Sequence, residues 1–215
     1  MIMDIKRSIN DTRKGFEESF AAGEFYNRQT QDSDHLEKIL GFVKISERMK
    51  ILDLGTGSGY LSFVSYDGID FPFESGSFDL VVTRYALHHF PDIVHSIGEV
   101  SRVLKNGGML FISDPCPNEC DTDRFVDDYM RLKKDGHIKF YTKDDWTDIC
   151  CNQGLIILDS FESSIRFPKK KDTAFGYETV LMKHDKTVID SYDLAETDTE
   201  LYITERVNNI LFMKE

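Results

Sequence analysis

Apolar residues recur along this chain in two spacings, one typical of helices and one typical of buried strands. Residues from about 10 to 45 have helical spacing, and Leu36, Ile39 and Leu40 form an apolar stripe. A further helix is predicted from Ile93 to Leu104, ahead of a glycine pair. Continuous apolar runs predict strands at residues 51–54, 79–83, 109–113, 155–158 and 201–213. Strands alternating with helices indicate an α/β fold.

A glycine-rich turn follows the first predicted strand and carries the clearest chemical signal. Asp53 stands at the carboxyl end of that strand, where open α/β sheets bind ligands. Glycines at 55, 57 and 59 let the backbone turn with positive φ and approach a ligand closely. The dinucleotide pattern G-x-G-x-x-G needs glycine at position 60, which is Tyr60. The D-x-G-x-G-x-G pattern therefore argues against a nicotinamide-dependent oxidoreductase.

Two later blocks make the signal more specific. One runs from residue 64 to 92 and contains D-G-x-D-F-P-F and L-H-H-F; the other runs from 99 to 114 and contains L-K-N-G-G. Together with the glycine turn, they resemble the core motifs of class I S-adenosylmethionine-dependent methyltransferases of the ubiquinone/menaquinone-biosynthesis type. The resemblance implies a Rossmann-like doubly wound sheet, mostly parallel with an antiparallel C-terminal strand, and with helices on both faces.

The same resemblance implies a set of cofactor-binding residues for S-adenosylmethionine and its product S-adenosylhomocysteine. Asp67 takes the place of the acid that accepts a hydrogen bond from the adenine amino group, and an ionised carboxylate suits that role. Tyr26 lies in the arm that folds over the cofactor in related enzymes, with simple core packing as the alternative. The full set is Asp53, Gly55, Thr56, Gly57, Gly59, Asp67, Gly68, Arg84, through its backbone, and Tyr26.

The chain departs from the family pattern between the glycine turn and Asp67. The family places there a second strand ending in a ribose-binding acid, with helices around it, but here the two motifs join almost directly. A full βαβ unit needs roughly 30 residues, so the join is too short. We hypothesise that the expressed protein contains a segment between about Phe63 and Val64 that the printed sequence omits. An intact mass of 24.8 kDa would refute this, and the ribose-binding acid would then be absent.

We predict one domain over residues 1–215, with a helical arm at 1–45 and a cofactor-binding core at 46–114. Residues 115–140 include an amphipathic helix with Phe125 and Tyr129 on one face, and residues 168–199 form a polar stretch before the last strand. Both segments are candidate lid elements over the acceptor. Thr142 and Asp145 resemble a capping box that opens a helix burying Trp146.

Methyl transfer from a sulfonium is an in-line displacement in which positioning supplies most of the acceleration. A base is needed only when the acceptor is protonated, and His88 and His89 are the catalytic candidates because imidazole titrates near neutral pH. Packing is the competing interpretation for both histidines. The predicted function is methylation of a small organic acceptor, and the alternative is a catalytically silent protein that binds the same cofactor.

The amino-acid composition argues against several classes of binding partner. The net charge of −12 argues against nucleic-acid binding, and Lys169, Lys170 and Lys171 are interpreted as a solvated turn. No apolar stretch is long enough for a membrane span, and no leader pattern is found, so we expect a cytoplasmic protein. Four cysteines lack zinc-site spacing, so no metal is expected. The acceptor is not specified by these residues, and a homodimer is left open.

Overall fold

A computed structural model of the protein describes residues 33–55, 69–133, 135–171, 174 and 176–215, together with five helical positions near the N-terminus. Those five positions are Arg7, Asn10, Lys14, Gly15 and Glu18. Everything stated below about the structure refers to these residues.

Helices and strands are interleaved along the described chain, as the apolar spacing predicts. The helices are α1 (Ser33–Val43), α2 (Ile93–Val103), α3 (Phe125–Met130), α4 (Lys143–Cys151), α5 (Tyr177–Lys183) and α6 (Lys186–Asp190). The strands are β1 (Ile51–Leu54), β2 (Phe78–Arg84), β3 (Leu104–Cys116), β4 (Leu155–Lys170), β5 (Ala195–Glu196) and β6 (Glu200–Lys214). A short 3₁₀ helix, Leu87–His89, follows β2.

These strands form a six-stranded sheet in the order β1-β2-β3-β6-β4, with β5 pairing to β6. The pairs β1·β2 and β2·β3 are parallel, whereas β6 is antiparallel to β3, β4 and β5. Only the C-terminal strand β6 among the described strands therefore runs against the others. This confirms the predicted mostly parallel sheet with an antiparallel C-terminal strand.

Helices cover both faces of the sheet, which confirms the doubly wound architecture. One face packs against α2 and α4, whose buried residues Ile97 and Trp146 join a cluster that includes Val81 of β2. The opposite face packs against α1, where Ile39 contacts a cluster containing Leu80. Successive residues of β2 thus face different layers, since side chains alternate along a strand. Its continuous apolar run follows from burial on both sides.

A third apolar cluster lies outside these two layers and joins the predicted lid segments. Phe125 and Tyr129 of α3 pack with Phe140, Tyr192 of the loop after α6 and Ile203 of β6. The two segments, 115–140 and 168–199, are therefore packed together through buried aromatic side chains. Whether they cover an acceptor stays a prediction.

The capping box at the start of α4 is confirmed. The Thr142 hydroxyl accepts a hydrogen bond from the Asp145 backbone N–H at 3.0 Å, and the Asp145 carboxylate accepts one from the Thr142 N–H at 2.8 Å. Both donors would otherwise be unsatisfied at the helix N-terminus. Trp146 is fully buried one residue later, as the spacing predicts.

Two predictions were wrong. Leu40 is 54% exposed, and α1 instead buries Ile39 and Val43, which are also four residues apart. The lysines at 169 and 170 end strand β4 rather than forming a solvated turn, and Lys169 is buried. Its ammonium group lies 5.2 Å from the Tyr129 ring centroid. A long apolar stem lets a lysine pack in this way.

No helix within the described residues has both the length and the apolar composition that crossing a membrane requires.

Candidate functional site

The carboxyl ends of β1 and β2 lie side by side and hold three of the predicted cofactor-binding residues. Asp53 pairs in register with Val82, one position before the end of β1, and Arg84 ends β2. Partial burial raises the pKa of the Asp53 carboxyl, and the positive charge of Arg84 opposes that rise. The sheet therefore brings a carboxylate and a guanidinium close enough for their charges to interact at this edge.

Gly55 is required by the way the chain leaves β1. Its φ of +84° is a conformation that residues with a Cβ rarely adopt. A Cβ built at this position would lie 2.4 Å from the Cβ of Ala86, in the loop after β2. The glycine thus lets the β1 turn and the β2 loop come into direct contact, which assembles the two parts of the site.

The loop after β2 turns sharply inward. Tyr85 has a positive φ of 50°, and its N–H donates to the carbonyl of Ser113 in β3 at 2.9 Å. The 3₁₀ helix that follows buries His88 beneath residues of the 135–140 segment, whose Ile138 N–H donates to the His88 carbonyl at 2.9 Å. His88 is therefore held at the carboxyl ends of β2 and β3.

His88 has a carboxylate partner that fixes its ring. Its Nδ1 lies 2.9 Å from Oδ1 of Asp114 in β3, and both side chains are buried. Burial alone would lower the pKa of the imidazole, but the Asp114 charge and hydrogen bond outweigh it, so the His88 pKa is raised above 6.5. A carboxylate that binds Nδ1 leaves Nε2 as the nitrogen that exchanges protons with a ligand.

His89 has a different environment. Its ring centroid lies 4.2 Å from that of His88, and burial together with the neighbouring His88 and His137 lowers its pKa well below the usual value. It is a neutral ring that packs against two other imidazoles. His89 hydrogen-bonds the backbone at Gly136, whereas His88 is the candidate base whose ring is held by a buried carboxylate.

A second buried histidine–carboxylate pair was not predicted. His137 Nε2 lies 2.8 Å from Oδ1 of Asp127, which also accepts from the Phe140 N–H at 2.8 Å. Burial tends to raise the Asp127 pKa, but these bonds and Arg124 lower it. The pair ties the 135–140 segment to α3. The sequence carries no motif for it, because its two halves are brought together only by the fold.

A further buried carboxyl, Glu205 of β6, was also missed. It is 1% exposed and close enough to His88 and Asp114 for their charges to interact. Burial raises its pKa to about 7; His88 and Lys169 oppose that rise, while Asp114 adds to it. In the sequence Glu205 alternates in phase with Leu201, Ile203 and Val207, and this period of two was the signal that it lies on a covered face.

Several predicted cofactor-binding residues lie outside the described residues. These are Tyr26, Thr56, Gly57, Gly59, Asp67 and Gly68. The described part of the site contains Asp53, Gly55, Arg84, His88 and His89.

This arrangement of strands and loops matches known proteins. A family model described as a methyltransferase domain matches residues 26–160. The chain belongs to this family of methyltransferase domains. Among curated relatives, the uncharacterized methyltransferase YcgJ of Bacillus subtilis is 37% identical over 76 residues, which cover 35% of this chain and 30% of the relative. A ubiquinone/menaquinone biosynthesis C-methyltransferase of Rhizobium johnstonii is 40% identical over 55 residues, covering 26% of this chain and 21% of that protein.

Solved structures agree on the fold of this family member. A candidate methyltransferase from Bacillus halodurans superposes with a TM-score of 0.73 at 18% identity, covering 84% of this chain and 99% of its own. The [4+2]-cyclase SpnF superposes with a TM-score of 0.58 at 15% identity, covering 96% and 93%. The chain spans about half or less of the length of the curated relatives it matches. Because a cyclase shares the fold, the fold by itself does not specify the reaction.

Proposed function

We propose that this protein transfers the methyl group of S-adenosylmethionine to a small organic acceptor, with His88 as the base. The observation that carries the proposal is the buried His88–Asp114 pair, 2.9 Å apart, beside the carboxyl ends of β1 and β2. Family membership supplies the cofactor class, and the pair supplies a positioned proton acceptor. The other predicted site residues keep the roles that the resemblance implies.

The described residues fit the cofactor at two points. Gly55 keeps the turn after β1 free of a side chain, and the Asp53 carboxylate stands at the strand end where ligands bind in such sheets. Asp53, Gly55 and the Arg84 backbone would hold the cofactor, together with the glycine-turn residues and Asp67. The bound cofactor supplies an electrophilic methyl group on sulfur.

The protein's own part in the reaction is positioning and proton removal. Asp114 holds the His88 ring through Nδ1, so that Nε2 accepts the proton that the acceptor loses as its nucleophilic atom bonds to the methyl carbon. The carbon–sulfur bond breaks in the same in-line step, and its electron pair stays on sulfur. Burial of the surrounding loop excludes water from the base.

The alternative is a silent protein that binds the cofactor without turnover. One observation favours it: within the described residues the sheet begins at β1, whose Ile51 is 37% exposed, and no described strand carries a ribose-binding acid beyond it. Residues 55–77 are enough for one crossover between parallel neighbours. The cofactor site would then lack the ribose-binding acid that the family carries at the end of its second strand.

The first experiment separates these functions. S-adenosylhomocysteine is titrated calorimetrically into protein of known intact mass, and Asp53→Asn is compared with the exposed control Asp148→Asn. We expect micromolar binding, weakened about tenfold only in Asp53→Asn, because one charged contact contributes about 1.4 kcal/mol. No binding to the folded protein contradicts both functions.

Turnover is then measured with S-adenosylmethionine and catechol, 2-phenylethylamine or menadiol as oxygen, nitrogen and carbon acceptors. Release of S-adenosylhomocysteine with any of them, reduced at least 100-fold in His88→Asn, supports the enzyme. Binding without turnover for all three acceptor types favours the silent protein.

A further inference from the structure

Two buried carboxyl groups next to His88 have oxygens that the protein leaves unpaired. Oε1 of Glu205 and Oδ2 of Asp114 make no hydrogen bond with any described residue, and each residue is 1% exposed. The hydroxyl of Tyr129, which is fully buried, likewise makes no hydrogen bond with any described residue. Buried polar atoms are normally hydrogen-bonded, and leaving one unpaired costs about 1–3 kcal/mol.

Among the buried carboxyl groups in the described part of the chain, those of Asp114 and Glu205 are the ones with an unpaired buried oxygen, whereas Asp121 and Asp127 are fully paired. Asp121 accepts from the N–H groups of Phe125 and Val126 and from the Tyr192 hydroxyl, at 2.7–3.0 Å. Asp127 uses both oxygens, bonding His137, the Phe140 N–H and Arg124. The fold therefore satisfies the acids that serve structure, and the two unpaired oxygens belong to Asp114, which bonds the proposed base, and to Glu205, whose charge interacts with both.

The nearby cations do not complete the two carboxyl groups. Lys169 interacts with Glu205 through its charge, but its ammonium group donates to the Met130 carbonyl at 3.4 Å. His88 binds the other oxygen of Asp114. Asp135 adds a further negative charge near Glu205. A ligand that donates hydrogen bonds and carries positive charge would satisfy this cluster.

Aromatic side chains border the cluster. The Phe140 ring centroid lies 4.9 Å from that of His88, and Tyr129 packs in the same apolar cluster as Phe140. A ligand with a cationic group at one end and an apolar body at the other would match both parts.

We propose that the acceptor carries an amino group, which binds as an ammonium at the open oxygen of Glu205. The acceptor is then an amine on an apolar body rather than a neutral phenol or quinol. This inference rests on the proposed methyl transfer, because it describes the acceptor part of that site. Glu205 acts in binding, and His88, held by Asp114, keeps its role as base.

The test compares matched probes at pH 8, where the Glu205 carboxyl is ionised. 2-Phenylethylamine and 2-phenylethanol share a body and differ in the cationic group. Each is titrated calorimetrically, with and without saturating S-adenosylhomocysteine. The variants are Glu205→Gln, which removes the charge at constant size, and Glu119→Gln, an exposed acid in the loop between β3 and α3. Urea unfolding shows that both variants fold.

We expect the amine to bind at least tenfold more tightly than the alcohol. Glu205→Gln should remove this preference while leaving S-adenosylhomocysteine affinity unchanged, and Glu119→Gln should behave as the wild type. Equal binding of the two probes, no binding of the amine, or an unchanged preference in Glu205→Gln overturns the amine proposal. Amine binding without S-adenosylhomocysteine binding supports the amine site and contradicts the proposed function instead, so the two failures are distinguishable.

Discussion

Glu205→Gln should change the pH dependence of stability in a way that few substitutions can. In the folded protein burial raises the pKa of the Glu205 carboxyl from 4.5 to about 7. Between these two values the folded state keeps a proton that the unfolded state has released, so stability falls as pH rises. The groups that face Glu205 are His88 after β2, Asp114 of β3, Asp135 of the loop after α3 and Lys169 of β4.

The magnitude follows from the same two values. Each pH unit between them costs about 1.4 kcal/mol, so the wild type loses about 3 kcal/mol from this residue between pH 5 and 8. The Gln variant has no proton to lose there. At pH 5 the neutral acid and the amide should be within about 1 kcal/mol of each other, and at pH 8 the variant should be more stable by about 3 kcal/mol.

Urea unfolding of both proteins at pH 5, 6, 7 and 8 measures this difference. Contributions from distant titrating groups cancel in the difference, whereas His88 adds a coupled part because the Glu205 charge helps to raise its pKa. Exposed Glu47→Gln is the control and should give a flat difference. A flat difference for Glu205→Gln, or one that falls with rising pH, would show that Glu205 is ionised and well paired in the folded protein. It would refute the reasoning about its burial.

Three further predictions concern the turn, the helix cap and the base. Gly55→Ala should lose about 3 kcal/mol of unfolding free energy through its positive φ and the clash with the β2 loop. Gly41→Ala, which meets nothing within 4 Å, should gain about 0.5–1 kcal/mol. Thr142→Ala should lose about 1 kcal/mol by removing the α4 cap, again by urea unfolding. Turnover should rise with pH as His88 loses its proton, with a midpoint above pH 6.5. Asp114→Asn should move this midpoint to lower pH, because it removes the charge that raises the His88 pKa. An unchanged midpoint would show that Asp114 does not act on the base.

Local sequence patterns predicted those elements of the protein that depend on contacts between residues close together in the sequence. Residues 80–82 of β2 are apolar because both faces of the strand are covered, and α4 begins after Thr142 because its cap is complete within four residues. Gly55 was identified from the turn it has to make. The fold class followed from the order of such elements.

The tertiary structure decided which charged residues are buried and which of them meet. Glu205 alternates in phase with Leu201, Ile203 and Val207 of β6, so strand spacing indicates a covered face, but only the tertiary structure shows which charged groups it meets there. Lys169 is buried at the end of β4, where its ammonium group lies beside the Tyr129 ring of α3. His88 and Asp114 are joined because parallel β2 and β3 end at the same edge. The sequence alone determined the fold and the family motifs, because these depend on local spacing. The pairing of His88 with Asp114 and the unpaired oxygen of Glu205 depend on contacts across the sheet, which no local spacing records.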